Sequence, residues 1–341
     1  MCAVLRDALE PNLLRTGEGT PVLVHTGPFG SIATGCSSVI ADCVAMAGTR
    51  SGGYVLTEAG FGADMGLERF VDLKCAVSGM HPRVAVVVVT VRALKAHSGR
   101  HRLVSGKNLP ESMLQESVED VRAGAANLLK HLQIVRGFGV APVVAVNVFP
   151  TDHDSEIEEV ERIARDAGAR VAVCHPVTRG GEGCLDLARS VVEACQEAGD
   201  TVSIRPVYEP QDDLRTKIAK VAALYGADGV DYAPAAGRLL DDYERGGFGN
   251  LPVIVAKTPL SLSAEPGLKG VPTGWRLPVR EVRLAAGAGY VCAICGNLST
   301  MPGLPSRPAA ERIDVGVATG GGRGPALSAA ATGGGWSLSS R

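Results

Sequence analysis

Along the chain, compact apolar runs rich in β-branched residues alternate with longer stretches in which apolar residues recur every three or four positions. The compact runs are Val22 to His25, Tyr54 to Thr57, Val84 to Val91, Pro142 to Phe149, Arg170 to Cys174, Pro252 to Lys257 and Tyr290 to Ile294. Their length and branched side chains predict strands. The periodic stretches predict helices at Ile32 to Met46, Leu67 to Cys75, Glu116 to Gly137, Ser155 to Ala167, Cys184 to Ala198 and Leu214 to Leu224. Strands that are apolar almost throughout, separated by helices, predict an α/β fold of largely parallel sheets covered by helices. Leu103 to Leu114 and Pro259 to Pro278 keep no period and read as loops.

Composition excludes several classes of function. A net charge of −2 argues against a general nucleic-acid binder, which needs a basic face. Aromatic residues make up only 4%, too few for a base-stacking platform. The longest apolar run, Val84 to Val89, has the length of a buried strand, so no membrane span is expected. The start of the chain lacks a basic segment followed by an apolar one, so no secretory leader is expected. Nine scattered cysteines suit reduced thiols and a cytoplasmic location. Cys292 and Cys295 have CxxC spacing without a second such pair. In a strand they point to opposite faces, so two buried small hydrophobes are expected rather than zinc ligands.

Candidate chemistry clusters where predicted strands end, the edge at which open α/β sheets bind ligands. Thr57-Glu58-Ala59-Gly60-Phe61-Gly62-Ala63-Asp64-Met65-Gly66 is a glycine-rich bend with two carboxylates between a strand and a helix. Glycines admit close backbone approach, and a helix N-terminus favours anions. Glu58 and Asp64 are substrate or cation candidates, with capping of the helix as the plainer role for Asp64. Arg92, Lys95 and His97 follow the most apolar strand and, with His101 and Arg102, read as a positive cluster suited to phosphate or carboxylate. A solvated loop face explains them equally. Asn147-Val148-Phe149-Pro150-Thr151-Asp152 offers amide, ring and carboxylate groups to a heterocycle, or else a turn in which Asp152 caps the next helix. Lys257-Thr258 closes another strand.

These motifs, in this order, resemble formate–tetrahydrofolate ligases. The likeness runs from Pro11-Asn12-Leu13 and His25-Thr26-Gly27-Pro28-Phe29 through the bend at Thr57 to Asp64 and Thr90-Val91-Arg92-Ala93-Leu94-Lys95-Ala96-His97. It continues in Asn147 to Asp152, Gly180-Gly181-Glu182-Gly183, Tyr225 to Gly229, Lys257-Thr258 and Met301-Pro302-Gly303-Leu304-Pro305. The resemblance implies ATP-driven joining of formate to tetrahydrofolate through formyl phosphate, with Mg²⁺ and a monovalent cation. It implies that Phe149 is one of two aromatics sandwiching the folate, with Thr151 and Asp152 beside it, and that the protein forms homo-oligomers, usually tetramers. It also divides the chain into the remainder of the ligase's N-terminal α/β domain over 1–140, a folate-side α/β region over 141–315, and a Gly/Ser/Ala-rich tail over 316–341. That tail buries too little apolar surface to order itself.

Departures from the family pattern shape the expectation. No GxxxxGK[ST] phosphate loop occurs, and Ser105-Gly106-Lys107-Asn108 lacks both the first glycine and the hydroxyl. Val177 stands where the family's second aromatic, a tryptophan, is expected, removing one stacking face. Ser31, Thr34, Ser37 and Asn297 replace Asn, His, Asn and Asp. The expectation is therefore a ligase-family chain with its folate side mostly present and its ATP side absent, inactive alone. The alternative is a non-catalytic fragment that binds folate or associates with a full-length subunit. No general base or metal ligand can be assigned from the sequence.

Overall fold

The computed structural model describes residues 6–27, 37–103, 108–199 and 202–296, and the backbone of 313–316 and 326–329. The chain opens with the hairpin β1 (Asn12–Arg15) and β2 (Pro21–Val24), followed by helix α1 (Val39–Gly48). The Ser38 hydroxyl caps α1 by accepting the Ala41 N–H at 2.9 Å. After an irregular stretch come two π-helical turns, Ala63–Leu67 and Phe70–Cys75. Then follow β3 (Val84–Val89), α2 (Val91–His97), the long α3 (Val118–Gly137), β4 (Ala141–Asn147), α4 (Asp154–Asp166), β5 (Arg170–Cys174) and α5 (Leu185–Ala198). The next elements are α6 (Leu214–Tyr225), β6 (Val230–Tyr232), α7 (Pro234–Arg245), β7 (Val253–Ala256), β8 (Leu277–Ala285) and β9 (Tyr290–Cys295). A last antiparallel pair joins β10 (Ile313–Gly316) to β11 (Ala326–Ala329).

Two sheets organise these elements. The first is all parallel, in the order β3-β4-β5. The second runs β6-β8-β9-β7, parallel at both outer pairs and antiparallel between β8 and β9, where a bulge falls between Val279 and Glu281. The parallel, helix-covered α/β class read from the pattern is the one observed. On α3 the buried residues Val121, Ala125, Leu128, Leu132 and Val135 recur every three or four positions, placing one stripe against β4. A second core packs α6 and α7 on β7, β8 and β9 through Leu214, Ile218, Val221, Leu240 and Leu277. Phe70, Val71, Val135, Phe138 and Leu262 join the two cores.

Five expectations need correction. Tyr54 to Thr57 forms no strand, since none of the described residues offers it a ladder. Val22 to His25 lies in an antiparallel hairpin rather than a parallel sheet. Pro259 to Pro278 is loop only as far as Arg276, since Leu277 and Pro278 open β8. Leu103 to Leu114 includes a helical turn at Glu111–Leu114. The region read as a structureless tail contributes β11 and the end of β10. Cys292 and Cys295 are free and buried within β9, as expected. Among the described residues no helix is long and apolar enough to cross a membrane.

Gly124 sets the spacing of α3 against α2, since a Cβ there would lie 1.8 Å from the Leu94 carbonyl oxygen. Gly124→Ala is expected to destabilise the fold by about 1–3 kcal/mol. This would appear as a lower urea midpoint at unchanged slope.

Candidate functional site

Two groups of functional side chains gather near the carboxyl ends of the parallel strands. The first lies above β3 and β4. Thr90, ending β3, caps α2 by accepting the Ala93 N–H at 3.0 Å, which fixes the first turn and so Arg92. The Arg92 guanidinium lies over the Phe149 ring, 3.8 Å from its centroid, and donates to Thr151 Oγ1 at 2.8 Å. Asp152 accepts the Phe149 N–H at 2.9 Å, and its other oxygen lies 3.9 Å from Arg92 Nε. Burial raises the Asp152 carboxyl, against the Phe149 N–H and the Arg92 charge. Asp152 therefore closes the turn and does not cap α4. The start of that helix is met instead by Glu156, which accepts the His153 N–H at 3.2 Å. Asn147 Oδ1, at the end of β4, is buried without a hydrogen-bond partner. Val177 sits in the turn after β5 and is 57% exposed.

The second group lies where the glycine-rich bend meets the segment after β7. Lys257 is wholly buried and pairs with Asp64 at 2.6 Å, while also donating to the Ser261 carbonyl at 2.6 Å. Burial alone would raise the Asp64 carboxyl, but the charge and hydrogen bond of Lys257, joined by His131 at pH low enough to protonate it, outweigh burial and hold the group below its ordinary value. Gly62 makes this approach possible. A Cβ there would lie 2.6 Å from Asp64 Oδ1 and 2.7 Å from His131 Cε1. His97 Nδ1 accepts the Gly270 N–H at 3.1 Å, so its proton sits on Nε2. Burial, then Lys269 and His131, push His97 down to about 4. Burial lowers His131 as well, against the pull of Asp64. Both rings are neutral at pH 7. Gly62, Asp64, His97, Asn127, His131 and Ser261 line a cavity of about 90 Å³, room for a few waters or one very small ligand. A wider, open depression of about 420 Å³ with Arg83 and Arg205 lies at the other, amino-terminal end of β4. It is remote from the edge where such sheets carry ligands.

The sequence-derived candidates thus separate. Arg92, Phe149, Thr151 and Asp152 come together, as do Asp64, His97 and Lys257. Lys95 is buried apart from both, donating to Glu156 at 2.7 Å and to the Gln115 carbonyl at 2.5 Å. His101 pairs with Asp120 at 2.8 Å, so the expected positive cluster is divided among separate acidic partners. Glu58 is exposed on the irregular stretch before Gly60. Ser37 donates to Asp42 at 3.1 Å. Ser31, Thr34, Asn297, the Ser105-to-Lys107 string and Met301 to Pro305 lie outside the described residues.

Sequence reasoning missed His131 and, beyond Asp64, a set of buried charges on the helical segment from Ala63 to Cys75. Asp64, Glu68, Arg69, Asp72 and Lys74 are all buried. Arg69 donates to the Val255 carbonyl at 2.8 Å, Asp72 accepts the Val207 N–H at 2.7 Å, and Lys74 pairs with Asp42 at 2.5 Å. Burial raises Asp72 to about 7 and raises Glu68 well above its ordinary range, the Asp72 charge adding to the latter. The available signal was five charged residues, Asp64, Glu68, Arg69, Asp72 and Lys74, spread through an otherwise apolar segment with no polar face to receive them. Among the described residues no group of three or more His, Cys, Asp or Glu side chains is arranged to hold a metal ion.

A parallel sheet with a ring, a guanidinium and a carboxylate at its carboxyl edge places the chain among α/β proteins that carry ligand-facing loops on that edge. The family model described as formate–tetrahydrofolate ligase matches residues 1–323. The chain belongs to the formate–tetrahydrofolate ligase family. It is 58% identical over 316 residues to a formate–tetrahydrofolate ligase of Cutibacterium acnes, covering 92% of this chain and 55% of that protein. The same identity and shares hold for one from Saccharopolyspora erythraea. Formate–tetrahydrofolate ligase 3 of Rubrobacter xylanophilus is 53% identical over 322 residues, 92% of this chain and 56% of its own. The chain therefore spans about half the length of the curated relatives it matches.

Two measurements follow from the buried charges. Lys257→Met strands Asp64 in the interior and is expected to cost about 3–5 kcal/mol, with most of the loss recovered in Lys257→Met/Asp64→Leu. A double-mutant cycle from urea melts checks this. The folded state holds the Asp72 proton up to about pH 7, whereas the unfolded chain releases it at an ordinary carboxylate pKa near 3.8. Between those limits the folded form binds more protons, so this group makes stability fall as pH rises, levelling off above about 7. Asp72→Asn should flatten that decline in urea midpoints taken from about pH 5 to pH 8.

Proposed function

We propose that this chain supplies the folate-facing portion of a formate–tetrahydrofolate ligase, the activity named for its relatives. The observation that carries this reading is the gathering of Arg92, Phe149, Thr151 and Asp152 above β3 and β4, with the unsatisfied Asn147 Oδ1 at the same edge. Phe149 offers a face for a flat bicyclic ring, Asn147 and Asp152 accept hydrogen bonds from its amino and amide N–H groups, and Arg92 suits a carboxylate. Tetrahydrofolate presents all three. The second aromatic wall is absent at Val177, whose exposed position in the turn after β5 leaves room for a larger side chain.

Formate and ATP complete the proposed reaction. Phosphoryl transfer relies on positioning and on charge neutralisation around the phosphates. No Walker-type loop occurs in these residues. Without that loop the residues of this chain do not by themselves fit a nucleoside triphosphate. The contribution of this chain is to bind and orient the folate. Asp64, His97, His131 and Lys257 form a rigid polar wall of neutral rings and a neutralised ion pair beside the glycine-rich bend. The purified chain is expected to make no formyltetrahydrofolate from formate, ATP and tetrahydrofolate, and product formation would overturn that part of the proposal.

Titration calorimetry with tetrahydrofolate tests the folate reading. Binding is expected, lost in Phe149→Ala, and strengthened about two- to tenfold in Val177→Trp, the ~0.5–1.5 kcal/mol of a restored aromatic pair. A folded chain that binds no tetrahydrofolate, in either the native or the Val177→Trp form, would refute it.

A further inference from the structure

The loop after β5 brings two thiols together. Cys174 ends β5 and is buried, and Cys184 closes the turn that leads into α5, where it is half-buried. Both are free. Between them the chain makes one helical turn, Pro176–Arg179, and a 3-10 turn, Gly180–Cys184, and so returns on itself. The His175 N–H donates to the Gly183 carbonyl at 3.0 Å. The two backbones meet closely there, for a Cβ on Gly183 would lie 2.6 Å from the His175 carbonyl oxygen. Cys174 and Cys184 are the next residues outward on either side of this contact, and the Cys184 thiol lies within hydrogen-bonding reach of the Cys174 thiol. Two thiols so placed need little backbone movement to bridge. Cys292 and Cys295 differ on both counts. They share one strand, where side chains three apart diverge, and both are buried away from any oxidant.

We propose that Cys174 and Cys184 form a reversible dithiol–disulfide site, which staples the turn carrying Val177 when the chain meets a low-molecular-weight disulfide. Cys184, the accessible thiol, attacks first. Its thiolate bonds to one sulfur of the small disulfide and expels the other half as a thiolate, leaving a mixed disulfide on Cys184. The Cys174 thiolate then attacks the Cys184 sulfur, breaks the mixed bond and releases the second half. The two protein thiols give up two protons and two electrons, and the small disulfide is reduced to two thiols. Burial, then the adjoining Cys184 thiol, push Cys174 up to about 11, so at neutral pH it is protonated and unreactive towards solutes. It suits the second step, where contact with its target replaces collision. The bridge ties the end of β5 to the start of α5 and holds the turn between them closed. That turn is exposed at Val177 and is steadied from outside by Glu18 of the β1–β2 hairpin, which accepts the Gly181 N–H at 2.6 Å. The site rests on local geometry and not on folate binding, so either proposal can fail without the other.

The test treats the purified full chain with oxidised glutathione, blocks remaining thiols with iodoacetamide and maps tryptic peptides. Cleavage after Arg170, Arg179 and Arg189 places the two cysteines on separate peptides, 171–179 and 180–189. The expected product is these two peptides joined, and separated again by dithiothreitol. In the oxidised form the amides of residues 177–183 should exchange about tenfold more slowly. The single variants should differ from each other. Cys174→Ser leaves Cys184 carrying glutathione, whereas Cys184→Ser leaves Cys174 unmodified. Far-UV circular dichroism shows that both stay folded, and Cys174→Ala takes the place of the serine variant if a buried hydroxyl unfolds it. A native chain in which both thiols stay reduced, or in which Cys184 keeps its glutathione and the joined peptides never form, would overturn the proposal. Cross-links that pair Cys174 or Cys184 chiefly with other cysteines would refute it equally.

Discussion

Everything around the junction of the two sheets depends on charges buried on the π-helical turns between Ala63 and Cys75. Asp64, Glu68, Arg69, Asp72 and Lys74 each leave water in a segment whose remaining residues are apolar or glycine. An isolated buried charge would be prohibitive, so Asp64, Arg69, Asp72 and Lys74 each take a partner from another part of the chain, while burial pushes Glu68 towards its neutral form. Lys257 and the Val255 carbonyl come from the end of β7, the Val207 N–H from the segment before α6, and Asp42 from α1. The segment is held by polar bonds to three regions while Phe70 and Val71 join the cores. Apolar packing alone could slide. Directional bonds to specific carbonyls and carboxylates fix how the second sheet meets the first. The tight bend before the turns serves the same end, for a Cβ at Gly66 would lie 1.6 Å from the Gly60 carbonyl oxygen.

Much of the architecture was legible because it depends on local pattern. Val84 to Val89 and Pro142 to Asn147 are apolar throughout, and only a parallel strand under helices makes use of such a run. The α3 stripe follows from its own spacing. What was illegible depended on partners. Tyr54 to Thr57 has the composition of a strand but nothing beside it to complete a ladder. The interior of β8 alternates Arg280, Glu281 and Arg283 with Val279 and Val282, a half-exposed antiparallel pattern that is easily overlooked in a chain otherwise read for parallel strands. At the site, the rule that loops after parallel strands carry ligands led to Arg92 and to Phe149 through Asp152. It could not show that Asp64 meets Lys257 across 193 positions, or Lys95 meets Glu156 across 61. Those pairings exist only once the cores have formed.

The two polar groups at the carboxyl edge differ in kind. Around Asp64 and Lys257, charges are neutralised in place and both imidazoles are held neutral, with His131 Nδ1 buried and without a hydrogen-bond partner among the described residues. Around Phe149 the groups are partly exposed, and Asn147 Oδ1, a buried acceptor without a partner among the described residues, lies beside them. The wall resists collapse, and the open groups gain by meeting a ligand.

The guanidinium seated on the Phe149 ring alters what recognition at that ring means. A bare aromatic face accepts any flat molecule, because dispersion and desolvation are indifferent to identity. A face already occupied at 3.8 Å accepts only what can make the exchange worthwhile. A neutral ring arriving there leaves Arg92 to return to water and to Thr151 with nothing gained. A ring that brings its own carboxylate gives the displaced cation a new counterpart at the moment it leaves the stack. On the proposed folate reading the arginine would act as a tenant whose departure sets the terms of entry, letting a shallow, half-open surface discriminate among flat solutes without a closed pocket.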